Sequence, residues 1–393
     1  MRRTLAVTAL LLLAVFIAAC GSSESGSETT GTSTATTSAG GGDAAYLEEN
    51  AALVERYLSE KGTFLPPPER SPRPQAGKHI ALVSCGQTVI PSCGLEINAA
   101  REAAEALGWR TTLIDAANGD PVSTGPGIQN AVAQRVDGIF TYYVDCEYIR
   151  EPLQAARDAG IPVVNSNGRD CDQSDSAAPS LFTYTIRYNA GDGSFQEWVD
   201  EVSIAQARYA IDKLDGEAHI GFATDSTSAA SVAVGRTVEA AVKECGGCSI
   251  ELLLFPIGDI GTRLQGKAES FLLKNADVNT VIPAYSAIMQ GGLIGAIQTA
   301  RRDLLVSVGE GLPEGIALIR DGKAQYGYGL SYGWEGYAAI DSLNRILNEE
   351  DPDVNSGIGV KLFDEEHDFP SGDDWVPPYD YQALYRKAWG VDQ

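Results

Sequence analysis

Cys245-Gly-Gly-Cys248 has the spacing of a redox dithiol. The apolar periodicity of residues 232–244 runs into it from the N-terminal side, so no helix start is at hand to lower a thiol pKa. The other reactive residue types are scattered. His79, His219 and His367 lie far apart and show no zinc spacing. No paired carboxylates at fixed spacing, nucleophile elbow or Gly-rich phosphate loop occurs. Gly125-Pro-Gly127 precedes a helical stretch and suits a turn better than an anion site. A non-catalytic protein is expected, with no metal and no cofactor. Cys85, Cys93, Cys146, Cys171, Cys245 and Cys248 then read as structural disulfides, an even set suited to an oxidising compartment. Six cysteines allow fifteen pairings. Local spacing favours Cys85–Cys93, Cys146–Cys171 and Cys245–Cys248, the first two as staples on loops at strand ends.

The elements that would place these groups alternate regularly. Apolar runs of strand length occur at residues 79–83, 111–114, 138–142, 161–165 and 181–188, with helical periodicity near 95–107, 127–135 and 147–159. A long helical stretch at 194–214 opens a second series. Its strands are expected at 219–223, 250–255, 280–284, 304–308 and 324–329, with helices at 232–244, 263–274, 287–301 and 313–321. Two rounds of β-α units predict an α/β fold with two Rossmann-like lobes, each built on a parallel sheet. Residues 334–347 form a last long helix, and 357–393 read as an acidic, aromatic and irregular tail.

Composition narrows the partners. The chain has 53 acidic and 29 basic residues and a net charge of −24, so nucleic acid is excluded as a partner and polyanions are disfavoured. At the N-terminus, Arg2-Arg3 precedes an uncharged apolar run over residues 5–18, too short to span a membrane and suited to a signal peptide over residues 1–19. Its end, Ile17-Ala18-Ala19-Cys20, resembles the lipobox of bacterial lipoproteins, which implies lipidation of Cys20 and anchoring on the extracytoplasmic face of the cell membrane. Residues 20–43 are a Ser/Thr/Gly tether. Residues 44–77 combine an amphipathic helix, expected to pack on the main body, with a stiff Pro-rich connector.

The order of motifs resembles the type I periplasmic substrate-binding proteins, the ribose- and galactose-binding proteins related to the ligand domains of the lac repressor family. The residues that carry it are His79-Ile-Ala-Leu-Val83, Leu107-Gly-Trp109, Val136-Asp-Gly-Ile-Phe140, Ala159-Gly-Ile-Pro-Val-Val164 and Val308-Gly-Glu-Gly-Leu-Pro-Glu-Gly315. The loop from Ser84 to Gly94 further resembles an actinobacterial lipoprotein branch. The resemblance implies lobes of residues 78–190 with 331–349 and 191–330 with 350–393, joined by a three-crossing hinge. It also implies a monomeric solute-binding protein that delivers a small polar solute (sugar, polyol or nucleoside-like) to a membrane ABC permease. A sensing lipoprotein of the same fold, signalling to a membrane receptor, is the alternative.

Carried onto this chain, the ligand contacts implied are Ser84, Gln87, Thr88, Tyr143, Asp145, Asn167, Arg169, Ser228, Ser231, Tyr285, Glu310 and Tyr332. Tyr142 and Tyr143 alternate on a strand, so only one of them is expected to face the cleft. Trp109 and Trp198 are expected to pack. The pattern departs from sugar binders at Gly168, which stands at the usual Arg, at Ser231, where an Arg is common, and at Tyr285, where Asn or Asp is expected. These departures point away from a plain pentose or hexose, towards a larger glycoside, a polyol, a nucleoside or another small neutral molecule. Peptide mapping under non-reducing conditions is predicted to recover Cys85 linked to Cys93; recovery of either with another cysteine would overturn that pairing.

Overall fold

The computed structural model describes residues 44–87, 91–115, 121–227 and 229–391; the leader, Cys20, the tether, Thr88 and Ser228 lie outside them. The first sheet comprises β1 (His79–Ser84), β2 (Arg110–Asp115), β3 (Gly138–Tyr142), β4 (Val163–Ser166) and β5 (Tyr184–Thr185), all parallel in the order β2-β1-β3-β4-β5. β1 is buried along its whole length, as its uninterrupted apolar run requires of a central strand, whereas the edge strand β2 is partly exposed. The second sheet comprises β6 (His219–Asp225), β7 (Ser249–Phe255), β8 (Thr280–Pro283), β9 (Leu305–Glu310), β10 (Tyr326–Tyr328) and β11 (Leu362–Asp364). Its order is β11-β10-β9-β8-β6-β7, with only β11 antiparallel. The first five strands of each series therefore follow one topology, and strand order reverses at β1 and again at β6. Ligands of open α/β sheets gather at such reversals, beyond the carboxyl ends of the strands.

α1 (Ala44–Leu58) packs away from the first sheet, around which lie α2 (Pro91–Ala106), α3 (Thr124–Ala133), α4 (Arg150–Asp158) and the short α5 (Cys171–Ser174). The second sheet carries α6 (Phe195–Lys213), α7 (Ala229–Val242), α8 (Leu264–Lys274), α9 (Ser286–Ile288), α10 (Ile294–Ala300) and α11 (Pro313–Arg320). α12 (Tyr332–Leu347) returns to the first lobe and crosses α2, and α13 (Tyr381–Trp389) packs on α12. At the α2–α12 crossing a Cβ on Gly336 would stand 2.6 Å from the Glu96 carbonyl oxygen and 2.7 Å from the Ala100 nitrogen. Only glycine permits that approach.

Four expectations change. The strand expected over 181–188 shrinks to β5, because Asp170 Oδ1 takes the Leu181 and Phe182 N–H groups at 2.9 and 3.3 Å before they can join the sheet. The single helix expected over 287–301 divides into α9, a π segment (Met289–Leu293) and α10, with Gly292 at φ 144°. The tail is ordered: β11 joins the second sheet, while Trp389 of α13 stacks on Tyr337 at 5.7 Å and donates to Asp341 Oδ1 at 2.7 Å. Finally, Tyr143 lies just past the end of β3 in a left-handed conformation (φ 57°), so period-two alternation does not apply to it.

The three short-range cysteine pairs form disulfides, with Cα–Cα distances of 5.7 Å for Cys85–Cys93, 5.0 Å for Cys146–Cys171 and 5.3 Å for Cys245–Cys248. Trp109 and Trp198 are buried and donate to the Gln75 and Gly359 carbonyls.

A strap runs across both lobes. α1 packs on α6, with Asn50 Nδ2 donating to the Arg208 carbonyl at 3.0 Å. The chain then pairs with residues 357–360 through the Thr63 and Leu65 N–H groups, at 2.8 and 2.9 Å. It ends against the first lobe, where the Pro72 and Gln75 carbonyls accept from Asn344 and Trp109. Among the described residues no helix is long and apolar enough to cross a membrane. Gly336→Ala is predicted to lower unfolding free energy by about 1–3 kcal/mol in urea denaturation, because the new methyl group meets backbone that cannot yield; an unchanged midpoint would refute the close crossing.

Candidate functional site

The carboxyl ends of both sheets face one another. From the first lobe come Ser84 at the end of β1, Tyr142 and Tyr143 at the end of β3, and Asn167 after β4. From the second come Asp225 at the end of β6, Tyr285 after β8 and Glu310 at the end of β9. Tyr332 opens α12 at a crossing between the lobes. The lobes touch: Tyr148 Oη donates to the Thr227 carbonyl at 3.3 Å, and the Tyr143 and Tyr285 hydroxyls lie near one another across the cleft.

Backbone N–H groups and tyrosine hydroxyls donate to the carboxylates here. Glu310 accepts from the Ser286 N–H and from Tyr332 Oη, the latter at 3.1 Å. Asp225 accepts from Tyr285 Oη at 3.1 Å and from the Thr227 N–H at 3.0 Å. Asp145 accepts the Arg169 N–H at 2.9 Å, and burial raises its carboxyl above the ordinary range, with Arg169 opposing. The Tyr142 and Tyr143 rings lie 5.9 Å apart, and Tyr142 meets Tyr332 edge-on at 6.3 Å. Both tyrosines therefore enter the interlobe region. Burial, with nearby carboxylates adding to it, pushes the phenols of Tyr142, Tyr143, Tyr285 and Tyr332 upward, so they stay neutral.

The remaining expected contacts are less central. Ser84 Oγ is buried and accepts the Gly86 N–H at 3.3 Å. The Gln87 N–H reaches Asp115 Oδ1 at 3.4 Å, while Gln87 Nε2 and Arg169 Nε, both buried, find no partner among the described residues. Ser231 lies on α7, where its carbonyl accepts from Thr224 Oγ1 at 3.3 Å. Asn167, left-handed at φ 52°, donates through Nδ2 to Glu335 Oε2 at 3.1 Å and accepts from Tyr188 Oη at 2.6 Å. Its amide orders the wall of the cleft.

Sequence reasoning missed the pair behind that wall. Glu96 of α2 and Glu335 of α12 are both buried, and a hydrogen bond between their carboxyls requires a proton on one of them. Ser166 Oγ donates to Glu96 Oε1, and Tyr188 Oη approaches Glu335 Oε1 at 3.0 Å. Burial pushes Glu335 up to about 7; burial and then the Glu335 charge push Glu96 well above the ordinary range. The signal was present: each Glu falls in phase with the apolar stripe of its helix, Glu96 with Ala100 and Ala103, Glu335 with Ala338 and Ala339.

Residues 95–351 match the family described as periplasmic binding protein domain. The chain belongs to this family. Its fold is the type I fold of sugar- and polyol-binding solute-binding proteins of ABC transporters. It is similar to a periplasmic solute-binding protein from Actinobacillus succinogenes 130z with bound D-allose, at 17% identity and a TM-score of 0.63 over 74% of this chain and 98% of that one. GanP, a glucose-galactose binding protein from Geobacillus stearothermophilus, is 20% identical, with a TM-score of 0.62 over 74% and 99% of the two chains. A solute-binding protein from Mycobacterium smegmatis with bound glycerol is 19% identical, with a TM-score of 0.62 over 77% and 100%. Among curated proteins none matches this chain.

The raised carboxyls set a pH dependence. Folded protein keeps protons that the unfolded chain releases between about 4.5 and about 7, so this contribution to stability is complete below pH 4.5 and is lost as pH rises through about 7. Urea midpoints at several pH values are predicted to fall across that window, and Glu335→Gln to flatten the fall. An unchanged slope in Glu335→Gln would count against the shared proton.

Proposed function

We propose that the protein is a lipid-anchored, extracytoplasmic solute-binding protein of an ABC importer, taking a small polar, sugar-like ligand between two closing lobes. The observation that carries this is the convergence of hydrogen-bonding side chains from the strand ends of both sheets on one interlobe space. Contacts made to both lobes stabilise the closed form, and the closed form is what a permease can recognise. The structurally similar proteins with D-allose and glycerol support a sugar or polyol as ligand. In this reading Cys20 carries the lipid and residues 20–43 hold the body away from the membrane. The lobes are 78–190 with 331–349 and 191–330 with 350–393, and binding involves no catalysis. Ser84, Gln87, Thr88, Tyr143, Asp145, Arg169, Ser228, Ser231, Tyr285, Glu310 and Tyr332 contact or border the ligand, and Asn167 supports them.

A thermal-shift screen of the purified protein against sugars, polyols and nucleosides tests this. A ligand at about a hundred times its dissociation constant stabilises by about 2.7 kcal/mol, and Tyr285→Phe and Tyr332→Phe are each predicted to weaken the hit about 5- to 30-fold by removing a hydrogen bond. Stimulation of a permease's ATP hydrolysis by the loaded protein is the outcome expected of an importer. Stimulation of a receptor kinase instead would move the protein to sensing, and turnover of the hit would overturn the reading altogether.

A further inference from the structure

Two of the residues proposed to serve the ligand have a backbone that their side chains disfavour. Tyr143 is the first residue after β3 and Asn167 the first after β4, and both are left-handed, at φ 57° and 52°. That conformation crowds a Cβ, and a side chain as bulky as Tyr rarely adopts it. It persists only where the surroundings leave no alternative. Here each loop is the other's surroundings. The Tyr143 N–H donates to the Ser166 carbonyl at 3.0 Å, and Asn165 Nδ2 to the Val144 carbonyl at 3.2 Å. The Arg169 N–H donates to Asp145 Oδ1 and the Cys146 N–H to the Arg169 carbonyl, both at 2.9 Å. Gly168 passes so close between them that a Cβ would stand 2.2 Å from the Val144 carbonyl oxygen. The Cys146–Cys171 disulfide closes this double loop, with its Cα atoms 5.0 Å apart and both cysteines buried. Asp170 fixes the far side by accepting the Cys171 and Leu181 N–H groups at 2.7 and 2.9 Å.

The loop so held also reaches the other lobe, since Tyr148, two residues beyond Cys146, donates to the Thr227 carbonyl. Cys245–Cys248, by contrast, lies just before β7, at the amino end of the second sheet and away from the strand ends that border the cleft. We propose that Cys146–Cys171 is a positioning disulfide. It locks the loops after β3 and β4 into one jaw that keeps Tyr143 and Asn167 left-handed and presents Tyr148 to the second lobe. The inference rests on the solute-binding reading above. Without the cross-link, hydrogen bonds and packing alone oppose the return of both residues to ordinary φ, and that return swings the Tyr143 ring out of its place. The fraction of molecules ready to bind then falls, and apparent affinity falls with it.

Hydrogen exchange and backbone NMR shifts of the purified protein without ligand would compare the native chain with Cys146→Ser/Cys171→Ser and, as control, with Cys245→Ser/Cys248→Ser. In the first variant exchange is expected to rise about ten-fold or more over residues 143–149 and 166–171, while β1 and β2 stay within about two-fold. The shifts of Tyr143 and Asn167 are expected to lose their left-handed signature. Calorimetric titration with glucose, galactose, D-allose, myo-inositol and glycerol reads the site itself. Any of these that binds the native protein is expected to bind the first variant about ten-fold more weakly and the control within about two-fold. If the serine pair does not fold, Cys146→Val with Cys171→Ala fills the same buried space and takes its place. Unchanged shifts, exchange that rises evenly across the first lobe, or affinity equal to the native value would overturn the positioning role and leave the disulfide a support for stability alone. Failure of all five probes to bind the native protein would count against the sugar-like ligand and not against the jaw, which the exchange and the shifts still decide.

Discussion

Two glutamates can lie side by side in a dry interior only if a proton lies between them, and much of this molecule is arranged around that condition. Glu96 reaches the pair from α2 and Glu335 from α12, and the helices approach closely enough because Gly336 removes the side chain that would hold them apart. Ser166 ties the pair to the end of β4, Asn167 to the loop beyond it, and Tyr188 to the chain leaving the first lobe. One buried polar cluster thus fixes a helix crossing, a strand end and a hinge segment at once. Its members gain from being satisfied together, since a partly satisfied cluster at this depth costs more than an apolar core of the same shape. The wall it forms holds Tyr142 and positions the first-lobe side of the cleft.

The fold was legible because parallel sheets write their strands as short apolar runs, separated by amphipathic helices, and both series here are regular. The cysteine pairs were legible because their chain separations are short. What failed did so for local reasons. Strand periodicity could not describe Tyr143, which lies one residue past the end of β3 with positive φ. Nor could it foresee that Asp170 would capture the backbone donors of Leu181 and Phe182. The tail hid its structure because β11 and α13 are short and rely on β10 and α12, partners outside their own stretch of chain, which no local window of sequence displays.

The site was legible at one level only. Strand ends mark the residues that border a cleft in an open α/β sheet, and Tyr285 and Glu310 follow from that rule, while Tyr332 follows from its place at a crossing between the lobes. Pairing does not follow from it. That Tyr332 serves Glu310, or that the amide of Asn167 is taken up by Tyr188 and Glu335, depends on how two lobes and a returning helix meet. Charged residues in phase with an apolar stripe are the better guide, since a carboxylate placed where the helix must be buried has to find a proton or a donor there.

If the protein binds its ligand as proposed, the strap from α1 to Gln75 bears on affinity. Besides the passages that join β5 to α6, β10 to α12 and α12 to β11, this segment and the stretch from β11 to α13 also run from one lobe to the other. Each added tie removes arrangements in which the lobes stand far apart, and far fewer in which they are shut. Apparent dissociation constants equal the intrinsic value divided by the fraction of molecules in the competent state. In the solute-binding reading proposed above, a belt that joins the two lobes thins the open population and so tightens binding at a distance from the residues proposed to touch the ligand.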